Sequence, residues 1–261
     1  MNTGRYTTEL MKTTAAVQEI RELLEFWEPG MEPAHLAQRV LDAGALGRSS
    51  ATRVKDIVNR TFTQRFLRPD DRAARRARAA VEGGAATASF RDIVFLYTLR
   101  AYPVIYDFLV ERYWPVVYAG HESLRGPEIV SFLNDKRGTE RMPEPWSDNV
   151  TARVARNLGK TLTDFGFFEN NRSPIRRIRL WQASDFLLSY MLIEARQDGV
   201  SDMELLAMPE WDAFGVDHRE RVDRLHRLAG TAGPFLFQYS GEIAQFTFNY
   251  DTVEEFVHAA A

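Results

Sequence analysis

Four arginines, Arg172, Arg176, Arg177 and Arg179, fall within the eleven residues Asn170 to Leu180, a stretch with no acid. Guanidinium groups at that density suit phosphates, which they meet with paired, charge-assisted hydrogen bonds. Directly upstream, Asn149, Thr151, Arg153, Arg156 and Lys160 recur at helical spacing within "SDNVTARVARNLGKTLTDFGFF". Small polar and basic side chains on an exposed helix face, with apolar anchors behind, are what a duplex major groove admits. A related set, Arg53, Lys55 and Arg60, lies in "RSSATRVKDIVNRTFTQRFL". These twelve residues form a candidate nucleic-acid surface. The alternative is a basic face that is simply solvated.

Other chemistry is poorly supplied. The chain has no cysteine, which excludes disulfides, thiolate metal sites and cysteine nucleophiles. Its histidines (His35, His121, His218, His226, His258) are scattered, with His218 and His226 eight residues apart and expected at the surface. The Gly-Lys-Thr in "ARNLGKTLTDFG" lacks the upstream glycine of a phosphate loop and sits inside a helical pattern. No catalytic site, metal or cofactor is expected, and the chain reads as a non-enzyme.

The elements that must position the basic residues follow from periodicity. Ser147 can cap a helix from Asp148 to Phe165 whose inner stripe is Val150, Val154, Leu158, Leu162 and Phe165, with Gly166 as its stop. Phe167-Phe168 and Ile175 to Leu180 read as short strands joined by the turn-forming "ENNRSP". On an alternating strand, Arg177 and Arg179 share an outward face while Ile178 and Leu180 turn inward. Upstream, Thr8 to Trp27 and Glu32 to Ala43 are helical, Ser49 or Ser50 caps a third helix, and "RPDDRAARRARAAVEGG" stops at Gly83-Gly84. Phe90 to Tyr118 is the strongest core segment, with Pro103 kinking it or dividing it in two. Its charges, Arg100, Asp107, Glu111 and Arg112, recur too often for a bilayer span. Gly126 to Asn134 is a short helix, and Ala183 to Arg196, Met203 to Met208 and Asp217 to Leu228 are others. "PFLFQYSGEIAQFTFNY" is a hairpin turning at Ser240-Gly241, and "TVEEFVHA" is a closing helix.

Net charge is only −3 over 261 residues, but it is unevenly spread. Arg48 to Arg78 carries ten basic residues against three acids, and Ser147 to Trp181 seven against three. From Glu194 onward, five arginines face thirteen acids. Basic blocks favour a polyanion and the acidic block repels one. A shift of 100 residues lays Thr52–Thr63 over Ala152–Thr163, matching Arg53, Val54, Thr61 and Thr63, with Arg60 meeting Lys160. The match fits either two copies of one helical unit or chance likeness of amphipathic helices.

The order of features resembles the BrxA family, accessory components of BREX bacteriophage-exclusion systems. The likeness rests on "YTTELMKTTAAVQEIRELLEFW", "RSSATRVKDIVNRTF", "FLYTLRAYPVIYDFLVERY", "WSDNVTARVARNLGKTLTDFGFF" with its hairpin, and a final strand followed by "TVEEFV". The resemblance implies a mostly helical, non-enzymatic DNA-binding protein acting beside a methyltransferase, an ATPase and other large partners. The family has also carried an inner-membrane label, which the charges within Ile93 to Gly120 oppose. It supplies no base-contacting residues to carry over.

The expected fold is mainly α with small β-hairpins, a helical bundle carrying winged helix-turn-helix-like units. Three segments are expected: 1–84, helical and helix-turn-helix-like; 85–182, core helices plus a winged-helix-like unit; and 183–261, helices with a hairpin in the order of a third, degenerate unit. The expected partners are double-stranded DNA and other BREX proteins, in the cytoplasm and without a membrane. A protein-interaction adaptor and an RNA-binding protein are the alternatives.

Overall fold

The computed structural model describes residues 4–12, 14–47, 49–169 and 175–260. It is mainly α, with two small two-stranded antiparallel sheets. The chain divides into two compact units, Met1–Arg78 with Tyr97–Trp181, and Ala79–Leu96 with Gln182–Ala261. The first unit draws on both of the first two sequence segments. Six arginines against sixteen acids give the second unit a net −10, which leaves +7 to the first out of the total of −3.

In the first unit a 3-10 turn, Thr8–Met11, precedes the helices Val17–Phe26 and Pro33–Asp42. The Ser50 hydroxyl accepts from the Arg53 amide at 3.2 Å and starts the next helix, Ala51–Asp56. That helix continues through a π-helical turn, Ile57–Phe62, into Thr63–Phe66. Within the turn, the Thr63 amide reaches five residues back to the Val58 carbonyl. Phe62 stacks on Phe66 with centroids 5.5 Å apart, and Trp27 and Tyr97 close the cluster.

Pro103, which lacks an amide hydrogen, opens a new helix after Ala101, and the chain axis bends by 99° there. Among the described residues, no single helix is long and apolar enough to cross a membrane. Asp107 is buried in this segment and is satisfied from three sides. It accepts from the Tyr6 hydroxyl at 2.7 Å and from the Arg141 guanidinium at 2.8 and 3.0 Å. Arg141 also donates to the Gly4 carbonyl at 2.9 Å, and the Asn157 amide donates to the carbonyls of Leu10 (3.0 Å) and Met11. The N-terminal segment is thereby tied to residues more than 130 positions downstream.

Strand β1, Ser123–Arg125, pairs antiparallel with β2, Ile175–Arg177, in the register Ser123 to Arg177, Leu124 to Arg176 and Arg125 to Ile175. On its other edge, the segment after β2 bridges antiparallel from Ile178 to Phe168. The Arg179 amide donates to Phe167 and the Glu169 amide to Arg177, so the 175–179 segment runs between its two neighbours. Between β1 and this segment come the helices Gly126–Asp135 and Asp148–Asp164, which pack on each other.

In the second unit, helix Asp185–Gln197 is capped by Ser184, whose hydroxyl also donates to Asp92. Short helices Asp202–Leu206 and Glu210–Ala213 follow, then His218–Leu228, capped by Asp217. Strands β3, Phe235–Tyr239, and β4, Ala244–Phe248, form the expected hairpin, with Gly241 at φ +87 in its turn. Helix Val253–Ala259 packs on Asp185–Gln197.

Candidate nucleic-acid interface

The Asp148–Asp164 helix begins where the Ser147 hydroxyl accepts from the Val150 amide at 3.4 Å. Val154, Leu158 and Leu162 are fully buried on its inner face. Asn149, Arg153, Arg156 and Lys160, at steps of four, three and four residues, are all exposed on the outer one. At 1.5 Å per residue they form a stripe roughly 16 Å long. Arg153, Arg156 and Lys160 take part in no ion pair among the described residues, though Lys160 is close enough to Asp164 to favour its carboxylate.

Thr151 does not belong to that stripe. It is 1% exposed and accepts from Arg137 at 3.3 Å, while the same guanidinium nitrogen holds Asp148 at 2.7 Å. The expectation that it faces outward is corrected. Its spacing to Val154, Ala155 and Leu158 places it on the inner stripe, and a small hydroxyl is accommodated there once hydrogen-bonded.

Arg177 and Arg179 are exposed, as the strand alternation requires. Arg176 has the opposite parity and shares the inner face with Leu124, so it is half-buried and does not share the outward face of Arg177 and Arg179. Its half-buried guanidinium lies over Gly159 of the helix. A Cβ built on Gly159 would stand 2.6 Å from Arg176 Cζ. Arg176 also reaches Thr163 Oγ1 at 3.5 Å, and burial pulls its pKa below the usual arginine value.

Leu180 departs from the expected alternation too. Ile178 is half-buried, but Leu180 is 79% exposed. The strand pairing ends at the Phe168 bridge, and Trp181 takes the inward position, stacked on Phe167 with centroids 4.6 Å apart. The Tyr113 hydroxyl fixes this end by donating to the carbonyls of Arg179 (2.6 Å) and Phe167 (3.2 Å). Burial holds its phenol far above the ordinary tyrosine pKa. Arg172 lies outside the described residues.

The three remaining candidates are on the earlier helix. Arg53 pairs with Glu19 at 3.7 Å and Arg60 with Asp56 at 3.0 Å, which Lys12 also approaches at 3.5 Å. Lys55 is exposed. Arg65 is 2% exposed and donates to the carbonyls of Ala15 (2.8 Å) and Thr14 (2.6 Å). Burial lowers its pKa, and its guanidinium carbon lies 5.4 Å from the Tyr102 ring centroid. No strand follows this helix; the next element is another helix, Arg72–Glu82. The structure therefore gathers Asn149, Arg153, Arg156 and Lys160 on one outer helix face and sets Arg177 and Arg179 on the following strand segment.

Gly159 is a packing position beside the basic stripe that residue types alone do not reveal. A glycine inside a helix costs about 1 kcal/mol relative to alanine, so its presence called for a packing reason. Arg176 is that reason.

The crystal structure of an uncharacterized protein from Magnetospirillum magneticum is similar in fold, with a TM-score of 0.57 and 16% identity. The match covers 74% of this chain and 93% of that one. No curated protein matches the sequence. Residues 4–191 match the BrxA family, a span that takes in the tied N-terminal segment, the basic helix and the strands around it. The chain belongs to the BrxA family.

Proposed function

We propose that this chain is a cytoplasmic, non-enzymatic accessory protein of a BREX-type phage defence system that binds double-stranded DNA. Family membership supports the accessory role. The observation that carries the DNA reading is the outer stripe of Arg153, Arg156 and Lys160, three cations without an ion pair among the described residues. Element order supports it further. A helix, β1, a second helix, a capped third helix and then the antiparallel segments at Phe168 and Ile175–Ile178 follow one another as in a winged helix-turn-helix. In this reading the Asp148–Asp164 helix enters the major groove with Asn149, Arg153, Arg156 and Lys160. Arg177 and Arg179, with Arg172, lie along phosphates or the minor groove.

Fluorescence anisotropy with a labelled duplex across a salt series tests this. Replacing Arg153, Arg156, Lys160, Arg177 and Arg179 by alanine should weaken binding and flatten the salt dependence by roughly 4 in log–log slope. Unchanged affinity and slope would remove these residues from the interface. Tighter binding of an RNA duplex would move the reading to RNA. In the adaptor reading the basic helices dock an acidic protein partner instead. A partner that co-purifies through them, with no DNA or RNA affinity at moderate salt, would favour it.

A further inference from the structure

We propose that the N-terminal segment, residues 4–12, forms a second wall of the DNA-binding face, with Arg5 as a phosphate contact; the inference rests on the duplex reading above. At about 100° per residue, Asn149, Arg153, Arg156 and Lys160 together span about 60° of the helix circumference. Gly159 and Thr163 lie on one flank of that arc, where Arg176 of the strand segment packs. Asn157 and Asp164 lie on the opposite flank, and both hold N-terminal backbone. The Asn157 amide donates to the carbonyls of Leu10 and Met11, and the Asp164 carboxylate accepts from the Ala15 amide. At the helix start, the Tyr6 ring lies 6.5 Å from that of Trp146, next to the Ser147 cap. There the Tyr6 amide donates to the Arg141 carbonyl at 2.7 Å. The segment therefore runs along the helix in the same direction, with residues 4–6 at the Asn149 end.

A helix in the major groove has a sugar–phosphate strand along each of its flanks. The strand segment serves one of them, and residues 4–12 lie on the flank that faces the other. Backbone alternation turns Tyr6 inward onto Asp107 and leaves Arg5 and Thr7 exposed. Arg5 takes part in no ion pair among the described residues. Thr7 and Thr8 add exposed hydroxyls of the kind that meet phosphate oxygens. Lys12 is drawn off to Asp56 at 3.5 Å, and Glu9, the one acid of the segment, has a carboxylate oxygen buried. Arg5 is thus the cation that this wall presents. Hydrogen bonds at Gly4, Tyr6, Leu10 and Met11 already hold the backbone, so docking it on a phosphate strand costs little further ordering.

Anisotropy titration of a labelled duplex by the full chain, across a salt series, tests this. Arg5→Ala should weaken binding about 3- to 10-fold and reduce the log–log salt slope by roughly 1, and Arg5→Glu should weaken it further. Arg39→Ala makes the same charge change on the Pro33–Asp42 helix, where Arg39 pairs with Glu28 at 2.7 Å, and should leave affinity and slope unchanged. Urea midpoints matching wild type confirm that the Arg5 variants keep the fold. An Arg5→Ala protein that binds like wild type, while the five-residue variant above does not, overturns the assignment of Arg5 and leaves the duplex reading standing. Equal losses at Arg5 and Arg39 overturn it too, since net charge alone would then account for both. A wild type without duplex affinity overturns both readings together.

Discussion

Helices Ala51–Phe66 and Asp148–Asp164, offset by 100 residues, share part of their buried stripe and expose different chemistry, though Ala155 and Gly159 are buried where Lys55 and Asn59 are exposed. Val54 and Val154, Val58 and Leu158, and Phe62 and Leu162 are all fully buried. Thr61 and Thr161 lie at 2% and 0% exposure, and Arg65 and Phe165 at 2% each. The outer faces diverge at position 56 against 156, among others. Asp56 stands where the later helix has Arg156, and it closes Arg60 into an i,i+4 pair while Lys12 approaches it. Over positions 53, 56 and 60 the earlier helix nets +1, and over 153, 156 and 160 the later one nets +3, although exposed Lys55 adds to the first and exposed Asp164 subtracts from the second. Inward pattern and outward charge therefore vary independently, and only the second bears on a polyanion. The backbones differ too: the π-helical turn interrupts the first helix, while the second runs seventeen residues without one.

The largest effect should test the shared inward pattern. Arg65→Ala leaves two carbonyls and a void, and Phe165→Ala leaves a void alone, so each should cost about 3–4 kcal/mol in urea unfolding. A loss below about 1 kcal/mol at Arg65 would break the equivalence.

Next comes the outward contrast. Alanine at Arg153, Arg156 and Lys160 together should weaken duplex binding by roughly 100- to 1000-fold in anisotropy titrations, and alanine at Arg53, Lys55 and Arg60 by less than about threefold. Equal losses would erase the distinction. Arg156→Asp should make the later face resemble the earlier one. The new carboxylate would engage Lys160 at i,i+4, reducing affinity by about 10- to 50-fold and the salt slope by roughly 2.

A smaller effect should follow Gly159→Ala. The added methyl needs only the flexible end of Arg176 to move, so stability should hold or rise by up to about 1 kcal/mol. Finest of all, Arg60→Ala should change stability by no more than about 0.5 kcal/mol, as expected for an exposed pair.

What the residues announced in advance was mostly local. Ser50 and Ser147 cap helices that follow them directly, and the Ser240-Gly241 turn sets the β3–β4 hairpin. Each signal acts within a few residues, so sequence order suffices to read it. Strand β1 gave no such sign, because three residues before a Gly-Pro are too short to alternate and gain strand form only by pairing with residues fifty positions away. Arg176 misled in the same way, and Arg65 is buried against the same general preference. Arginine is usually exposed, and only the carbonyls of Thr14 and Ala15, or the bare backbone of Gly159, make an inward position acceptable. Thr151 could have been placed correctly from its spacing to Ala155 and Leu158, had periodicity been weighed above polarity. The Asn149, Arg153, Arg156 and Lys160 stripe was legible because charge and helical period agree there.

The hydrogen bonds from Asn157 to Leu10 and Met11 also bear on how the chain matures during synthesis. The two carbonyls emerge early, but their donor follows 146 residues behind Met11. At about 5–20 residues per second, the N-terminal turn waits roughly 7–30 s for the helix that completes it. Tyr6 waits similarly for Asp107 and Arg141, so the start of the chain is among the last parts of the first unit to be secured. A basic helix seated this way reaches its final setting only after most of the protein has left the ribosome.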